Sequence, residues 1–291
     1  MLNYFLNKKI LLIHLKSKNY VLILLISFVC LLFQFQPVFS QNQFVLDYKS
    51  DGPYISEING VTYYMNIPFT GKFVKFYDNG KEHINGEMLN GVQHGPCSIY
   101  YSSGKLYRLG AYSFGLENQT WTEYHPNGKV KNIGNYLDGK RHGYWESFHE
   151  NGKLNSKGSY EYGHPVGELM SYNSNGSKYR ETYFVNGLKN GFEIYYNENG
   201  VIDMKIPYIM DVAHGIQTTY YASGQPYCKM NWVHDELTGD VICYFKSGVV
   251  QSKGQYYNGK NDGEFNYYNQ SGSLVRTEIW NNGALISSKI F

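Results

Sequence analysis

Nine histidines, a scatter of serines and four cysteines are the side chains of this sequence most able to do chemistry. Their spacing is regular. His94, His142 and His214 hold one position in a 24-residue period, and His125 and His149 hold another. A metal ion needs its ligands within about 2.1 Å of itself. If each period is one hairpin, His94 and His142 stand four strands, or about 19 Å, apart, and His125 and His149 about 10 Å apart. These histidines are therefore expected as polar turn and strand residues, with no metal site. Ser102, Ser103, Ser174, Ser247 and Ser271 cluster in loops. None has the strained strand-to-helix elbow, or the neighbouring histidine and acid, that a nucleophilic serine requires. No carboxylate pair recurs and no glycine-rich loop opens a helix, so no catalytic residue and no cofactor are expected.

Aromatic side chains carry more promise. They make up 17% of the chain, 30 of them tyrosines, more than an ordinary core requires. Counted from the first glycine of each period, Trp121 and Trp145 hold the third position, and Phe73 and Phe265 stand in the same row. By alternation this row faces away from the other aromatic rows, a parity that a bulge beside the turn can invert. Exposed, the four rings would form a ladder able to stack on the sugars of a polysaccharide or to present a flat protein-binding face. The plainer alternative is that a thin sheet curls and partly buries both faces.

The elements that must position these residues follow from the period itself. Glycine recurs every 24 residues at Gly80, Gly104, Gly128, Gly152, Gly176, Gly200, Gly224, Gly248 and Gly272. Four residues before each stands an aromatic: Phe76, Tyr100, Tyr124, Phe148, Tyr172, Tyr196, Tyr220, Tyr244 and Tyr268. A fixed period of this length marks an array of one repeated supersecondary unit. Units one to nine begin at Gly71, Gly95, Gln119, Gly143, Gly167, Gly191, Gly215, Gly239 and Gly263, Gln119 being the substitution in that series.

Within a unit two extended runs flank a turn such as Glu150-Asn151-Gly152, and nothing has helical spacing. A three-residue hairpin loop is a type I turn followed by a residue of positive φ, which accounts for the invariant glycine. This register pairs His149 with Lys153 and Phe148 with Leu154, setting the invariant aromatic opposite an aliphatic residue in most units. Six residues further comes a second aromatic row, Tyr112, Tyr136, Tyr160, Phe184, Tyr208, Trp232, Tyr256 and Trp280. Even spacing predicts that all three rows share one apolar core face. A second turn, as at Asp138-Gly139, leads to the next hairpin. Asp211 and Asp235 replace its glycine in two units, and aspartate tolerates positive φ. The prediction is an all-β, elongated and twisted array of about nine antiparallel hairpins over residues 59–286, roughly 80–90 Å long. Residues 41–58 are expected to cap its first edge and 287–291 its last.

Residues 1–40 differ in kind. Lys8, Lys9, Lys16 and Lys18 precede an apolar run from Val21 to Phe35, with Ser40-Gln41 the preferred cleavage site. That pattern predicts a helical secretory signal peptide and an exported mature chain, in a periplasm, a cell envelope or a secreted fraction. Without the four leader lysines, 22 basic side chains stand against 24 acidic ones. No basic stripe then suggests nucleic acid, and membrane association would come only through the leader or at the periphery. Of the mature cysteines Cys97, Cys228 and Cys243, a Cys228–Cys243 bridge is one reading and three free, partly buried thiols the preferred one, since disulfide scaffolds carry many more.

The run Gly-x-aromatic-x-x-Tyr-x-x-Asn-Gly-Lys, then Gly-x-Tyr-x-x-Gly-Lys-x-x-Gly, resembles the bacterial variant of the MORN repeat, in chains of the YwqK type that carry an antitoxin label. The opening Asn59-Gly60-Val61-Thr62-Tyr63-Tyr64 and Pro68-Phe69-Thr70-Gly71 is similar to the start of such chains. The resemblance implies a β-hairpin array without an active site, used for protein contacts and sometimes for membrane association. The expected function is an exported, non-catalytic surface for protein contacts at the cell envelope. A polysaccharide-binding module and an antitoxin-like neutraliser of a partner protein are the alternatives.

Overall fold

The computed structural model describes residues 44–291; the expected leader, its expected cleavage site and residues 41–43 lie outside the described residues. Leu46–Phe291 form one compact unit. Among the described residues it is built of strands and one turn of 3-10 helix at Gly52–Tyr54. No described helix is long and apolar enough to cross a membrane.

From Gly71 to Ile290 each strand pairs antiparallel with the next, giving a long sheet of consecutive hairpins. Unit four shows why. Its strands Lys140–Phe148 and Leu154–Glu161 meet with Phe148 opposite Leu154. In the loop, Gly152 N donates to the His149 carbonyl and His149 N to the Lys153 carbonyl, both at 2.8 Å. The nine loop glycines have φ between +76° and +95°, where a side chain is strained. The second turn has two successive positive φ values, +50° at Asp138 and +75° at Gly139, which matches the twist of the flanking strands. Where aspartate replaces the glycine, φ is +68° at Asp211 and +67° at Asp235. Their carboxylates accept the Lys189 and Ala213 amides of the preceding turn at 2.6 and 2.7 Å, so each offsets part of the backbone strain.

A bulge that the repeat spacing does not announce decides which rows share a face. Ser147 lies opposite Ser156 while Phe148 lies opposite Leu154, leaving Asn155 extra. The same step recurs in all nine hairpins. One extra residue inverts the alternation. The expected single apolar face is therefore split. The row of Phe76, Tyr100, Tyr124, Phe148, Tyr172, Tyr196, Tyr220, Tyr244 and Tyr268 is half-buried on one face, where Tyr196 Oη donates to Glu181 at 3.0 Å. The second aromatic row lies on the other face beside the third-position row, with the Tyr136 and Trp145 rings edge to face at 4.9 Å. The second face is the closed face below, and the first is the open face.

The ends also differ from expectation. Residues 59–70 do not begin the array. Ile55–Ile58, Val61–Tyr64 and Ile67–Pro68 make a separate three-stranded sheet that joins unit one where Thr62 N donates to the Gly91 carbonyl at 2.8 Å. Leu46, Phe69, Phe73 and Met88 form a buried cluster under it. At the far end, residues 287–291 do not form a cap: Ala284–Ile290 is a further strand, exposed along its whole length.

Candidate binding face

On the closed face the third-position row is core. Phe73, Trp121, Trp145 and Phe265 are 0%, 2%, 6% and 6% exposed, so the expected ladder of binding aromatics is not on the surface. The packing explains it. Three of the rings lie over a glycine eleven residues earlier, Trp121 over Gly110, Trp145 over Gly134 and Phe265 over Gly254, while Phe73 lies against Gly86. Arginines cover the other side of the indoles: Arg108 sits 4.4 Å from the Trp121 ring and Arg141 4.5 Å from that of Trp145, in cation–π contact. Arg108 also pairs with Glu117 at 2.8 Å. The indole nitrogens donate inward, to the carbonyls of Ala111 and Asn135 at 3.0 Å. Burial pushes the Tyr112 hydroxyl beside Trp121 up to about 12 and the free Cys97 thiol up to about 11; a thiol so raised is a poor nucleophile.

The histidines do not converge. His94, His142 and His214 each pack against a ring twenty residues on, Phe114, Tyr162 and His234, at 4.8, 5.5 and 5.3 Å between centroids. His125 and His149 have a different use that the sequence reading missed. Their Nε2 atoms bond the carbonyls of Phe148 and Tyr172, at 2.8 and 2.9 Å. A carbonyl only accepts, so Nε2 carries the hydrogen. Tyr77, Tyr101 and Tyr221 make the same bond from the same position, each to a carbonyl 23 residues ahead, at 2.7 Å. Asn127 and Lys129 reach the carbonyls of Glu150 and Asn151 at 2.7 Å. A constant separation near 23, rather than residue type, is the signal for this ladder of bonds between successive turns. Among the described residues no group of three His, Cys, Asp or Glu could hold a metal ion.

Cys228 and Cys243 face each other in register on adjacent strands and form a disulfide, with Cα atoms 4.0 Å apart. That corrects the expectation of three free thiols: Cys97 alone among the described cysteines is free. Composition counts cysteines but does not see register. The hairpin geometry puts this pair directly opposite each other.

The open face is where apolar side chains meet solvent. Tyr183 sits beside Gly191, Phe192 pairs with Pro207 and Pro207 lies against Gly215, next to Ile216. These four residues cross four consecutive strands of units five to seven. Tyr183, Phe192 and Ile216 are 45%, 51% and 58% exposed. Glu168, paired with Tyr183, and Asp240 bound the row with charge. An uninterrupted row of this kind goes beyond the single, scattered apolar residues normal at a protein surface. Its residues are the second and seventeenth of their units, which no invariant glycine or aromatic marks.

Four stretches, residues 93–113, 120–138, 141–162 and 213–234, match the family described as MORN repeat variant. These four stretches are similar to that repeat. The hairpin unit, the two turns and the period of 24 continue through the array between the matched stretches and after them. No curated protein matches the chain. Solved structures that align with it include TcdB2-TccC3-TEV (11% identity, TM-score 0.18, 75% of this chain and 14% of that one). TcdB2-TccC3 without its hypervariable C-terminal region aligns at 10% identity and TM-score 0.17, over 79% and 16%. A Photorhabdus luminescens Tc holotoxin pore aligns at 10% and 0.15, over 75% and 18%. The chain thus spans less than a fifth of each of these chains.

Proposed function

We propose that this MORN-type array is a non-catalytic binding protein, exported to the cell envelope or beyond, whose open face docks a protein partner. MORN repeats are repeat modules that often mediate binding. The observation that carries the reading is the row of exposed Tyr183, Phe192 and Ile216 with half-buried Pro207 between them. It offers aromatic and aliphatic anchors on a rigid sheet at low entropic cost. Export rests on the basic, then apolar, leader of residues 1–40. The polysaccharide reading built on Phe73, Trp121, Trp145 and Phe265 loses its residues to the core.

The test places a photo-crosslinking residue at Phe192 and, as a control, at Lys140 on the second turn, in native cells. A partner captured from position 192, absent from position 140 and lost when Tyr183→Ser and Ile216→Ser are added, supports the reading. Equal capture from both positions sinks it. Mass spectrometry of the N-terminus in the same cells checks the address. A start at Gln41 in an envelope or secreted fraction supports export. An intact Met1 in the cytoplasm returns the antitoxin-like reading.

A further inference from the structure

A second line crosses the open face next to the apolar row. Following the pairing from strand to strand, it runs Glu146, Lys157, Met170, Glu181, Ile194, Lys205, Thr218, Lys229, Ile242, Lys253, Asn266 and Thr277, each residue directly opposite the next. From Ile194 onward it contains three lysines and no acid. Lys205, Lys229 and Lys253 repeat once per hairpin, every two strands, or about 10 Å. Among the described residues none of the three forms an ion pair. The acids nearby are already engaged. Glu181 is held by Lys178 at 2.7 Å and by the Tyr196 hydroxyl at 3.0 Å, and Lys205 adds to the charge that keeps its carboxyl low. Asp240 and Glu264, two residues along their strands from Ile242 and Asn266, accept hydrogen bonds from Gln255 and Asn266.

One ring per hairpin accompanies the lysines. Lys229 and Lys253 lie 5.9 and 5.8 Å from the centroids of Tyr244 and Tyr268, and Tyr196 and Tyr220 continue that half-buried row. The face therefore repeats a unit of one free ammonium and one tyrosine at a fixed interval near 10 Å.

We infer that units six to nine bind a linear acidic polysaccharide lying along the lysine line, one disaccharide to each of its three lysines and the tyrosine of the following hairpin. A polymer that alternates a uronic acid with a neutral sugar offers one carboxylate and one apolar ring face per disaccharide, the same alternation that the protein presents. Lysine supplies a compact charge for the carboxylate, and tyrosine supplies an apolar body with a polar tip for the ring. A nucleic acid strand carries its charges more closely, one per 3.4 Å of each strand in a duplex, and would leave most of them unpaired here. The inference is separable from the protein-docking reading through Tyr183 and Phe192, which take no part in it, whereas Ile216 lines one cleft with Lys229 and Ile242.

The test uses the whole chain and hyaluronan, which alternates a uronate with an N-acetylhexosamine, as probe, by isothermal titration at low and at physiological ionic strength. The triple variant Lys205→Gln, Lys229→Gln, Lys253→Gln is expected to bind at least tenfold more weakly. A charge-matched variant at exposed sites off the line, Lys72→Gln, Lys140→Gln, Lys260→Gln, is expected to bind as the parent does. Circular dichroism confirms that both variants keep the sheet, and Tyr183→Ser with Phe192→Ser leaves hyaluronan binding intact. Equal weakening in both lysine variants, no binding by the parent, or equal affinity for poly-dT or for anionic phosphatidylserine vesicles overturns the proposal.

Discussion

The indole of Trp145 lies flat over the backbone of Gly134, so close that a methyl group there would stand well under 3.0 Å from three ring carbons. The same relation joins Trp121 to Gly110 and Phe265 to Gly254. Where the position eleven residues earlier is filled, by Thr182 or Met230, the facing residue shrinks or turns polar, to Glu193 and Val241. A large ring at the facing position thus goes with glycine, which leaves it the space that a side chain would fill. Gly134→Ala should therefore destabilise the array by about 1–3 kcal/mol, the cost of overpacking. Adding Trp145→Leu should restore part of it. Denaturant titration of the two variants decides: a double variant no more stable than Gly134→Ala alone means the collision is not the cause.

Gln119 begins unit three where eight other units have glycine, and its φ is +62°. An ordinary residue held in the left-handed region costs about 1–2 kcal/mol, offset in part by the greater freedom glycine has in the unfolded chain. Gln119→Gly should thus stabilise the protein by about 0.5–1 kcal/mol. Its side chain makes no hydrogen bond among the described residues, so little is lost. A lower denaturation midpoint for the variant would show that the side chain does something the backbone argument omits.

The backbone was largely legible in the sequence, and the faces were not. Gly152 and its eight equivalents announce the loop, and the loop fixes the pairing of Phe148 with Leu154, because positive φ at a set place allows few turns. Nothing in Leu154-Asn155-Ser156 announces the extra residue that turns Tyr160 to the opposite face. The bulge is a backbone choice that many sequences can make, so counting by twos put the rows of Phe148 and Tyr160 together and sent Trp145 outward. The exposed apolar row was hidden for the same reason. Tyr183, Phe192 and Ile216 carry no repeated residue type, and only the register makes them neighbours.

Reduction should weaken the second half of the array. The disulfide between Cys228 and Cys243 closes a loop of about 15 residues, and a bridge of that span contributes about 3 kcal/mol in the chain-entropy description. Cys228→Ser with Cys243→Ser should lower the melting temperature, and dithiothreitol should lower that of the parent and leave the variant unmoved. Maleimide labelling of the denatured, unreduced mature chain should find Cys97 alone. Three labelled thiols from protein recovered under oxidising conditions would contradict the bridge.

Acid should loosen the closed and open faces at two carboxylates held in hydrogen bonds. Burial works to raise the Glu123 carboxyl, but bonds from Asn132, Tyr107 and Lys131 outweigh it, and the net shift is downward. Glu181 behaves alike: burial opposes, Lys178 and Tyr196 prevail, and the carboxyl sits below its ordinary value. A group lowered on folding contributes stability that is present above its unfolded pKa, near the ordinary 4.5 for glutamate. That contribution is lost as pH falls through the folded value. The melting temperature should hold from neutral pH down to about 5 and fall below the ordinary glutamate range. Glu123→Gln with Glu181→Gln should start lower at neutral pH and fall less steeply in acid. Parallel profiles for parent and variant between about pH 7 and pH 3 would place the acid sensitivity elsewhere.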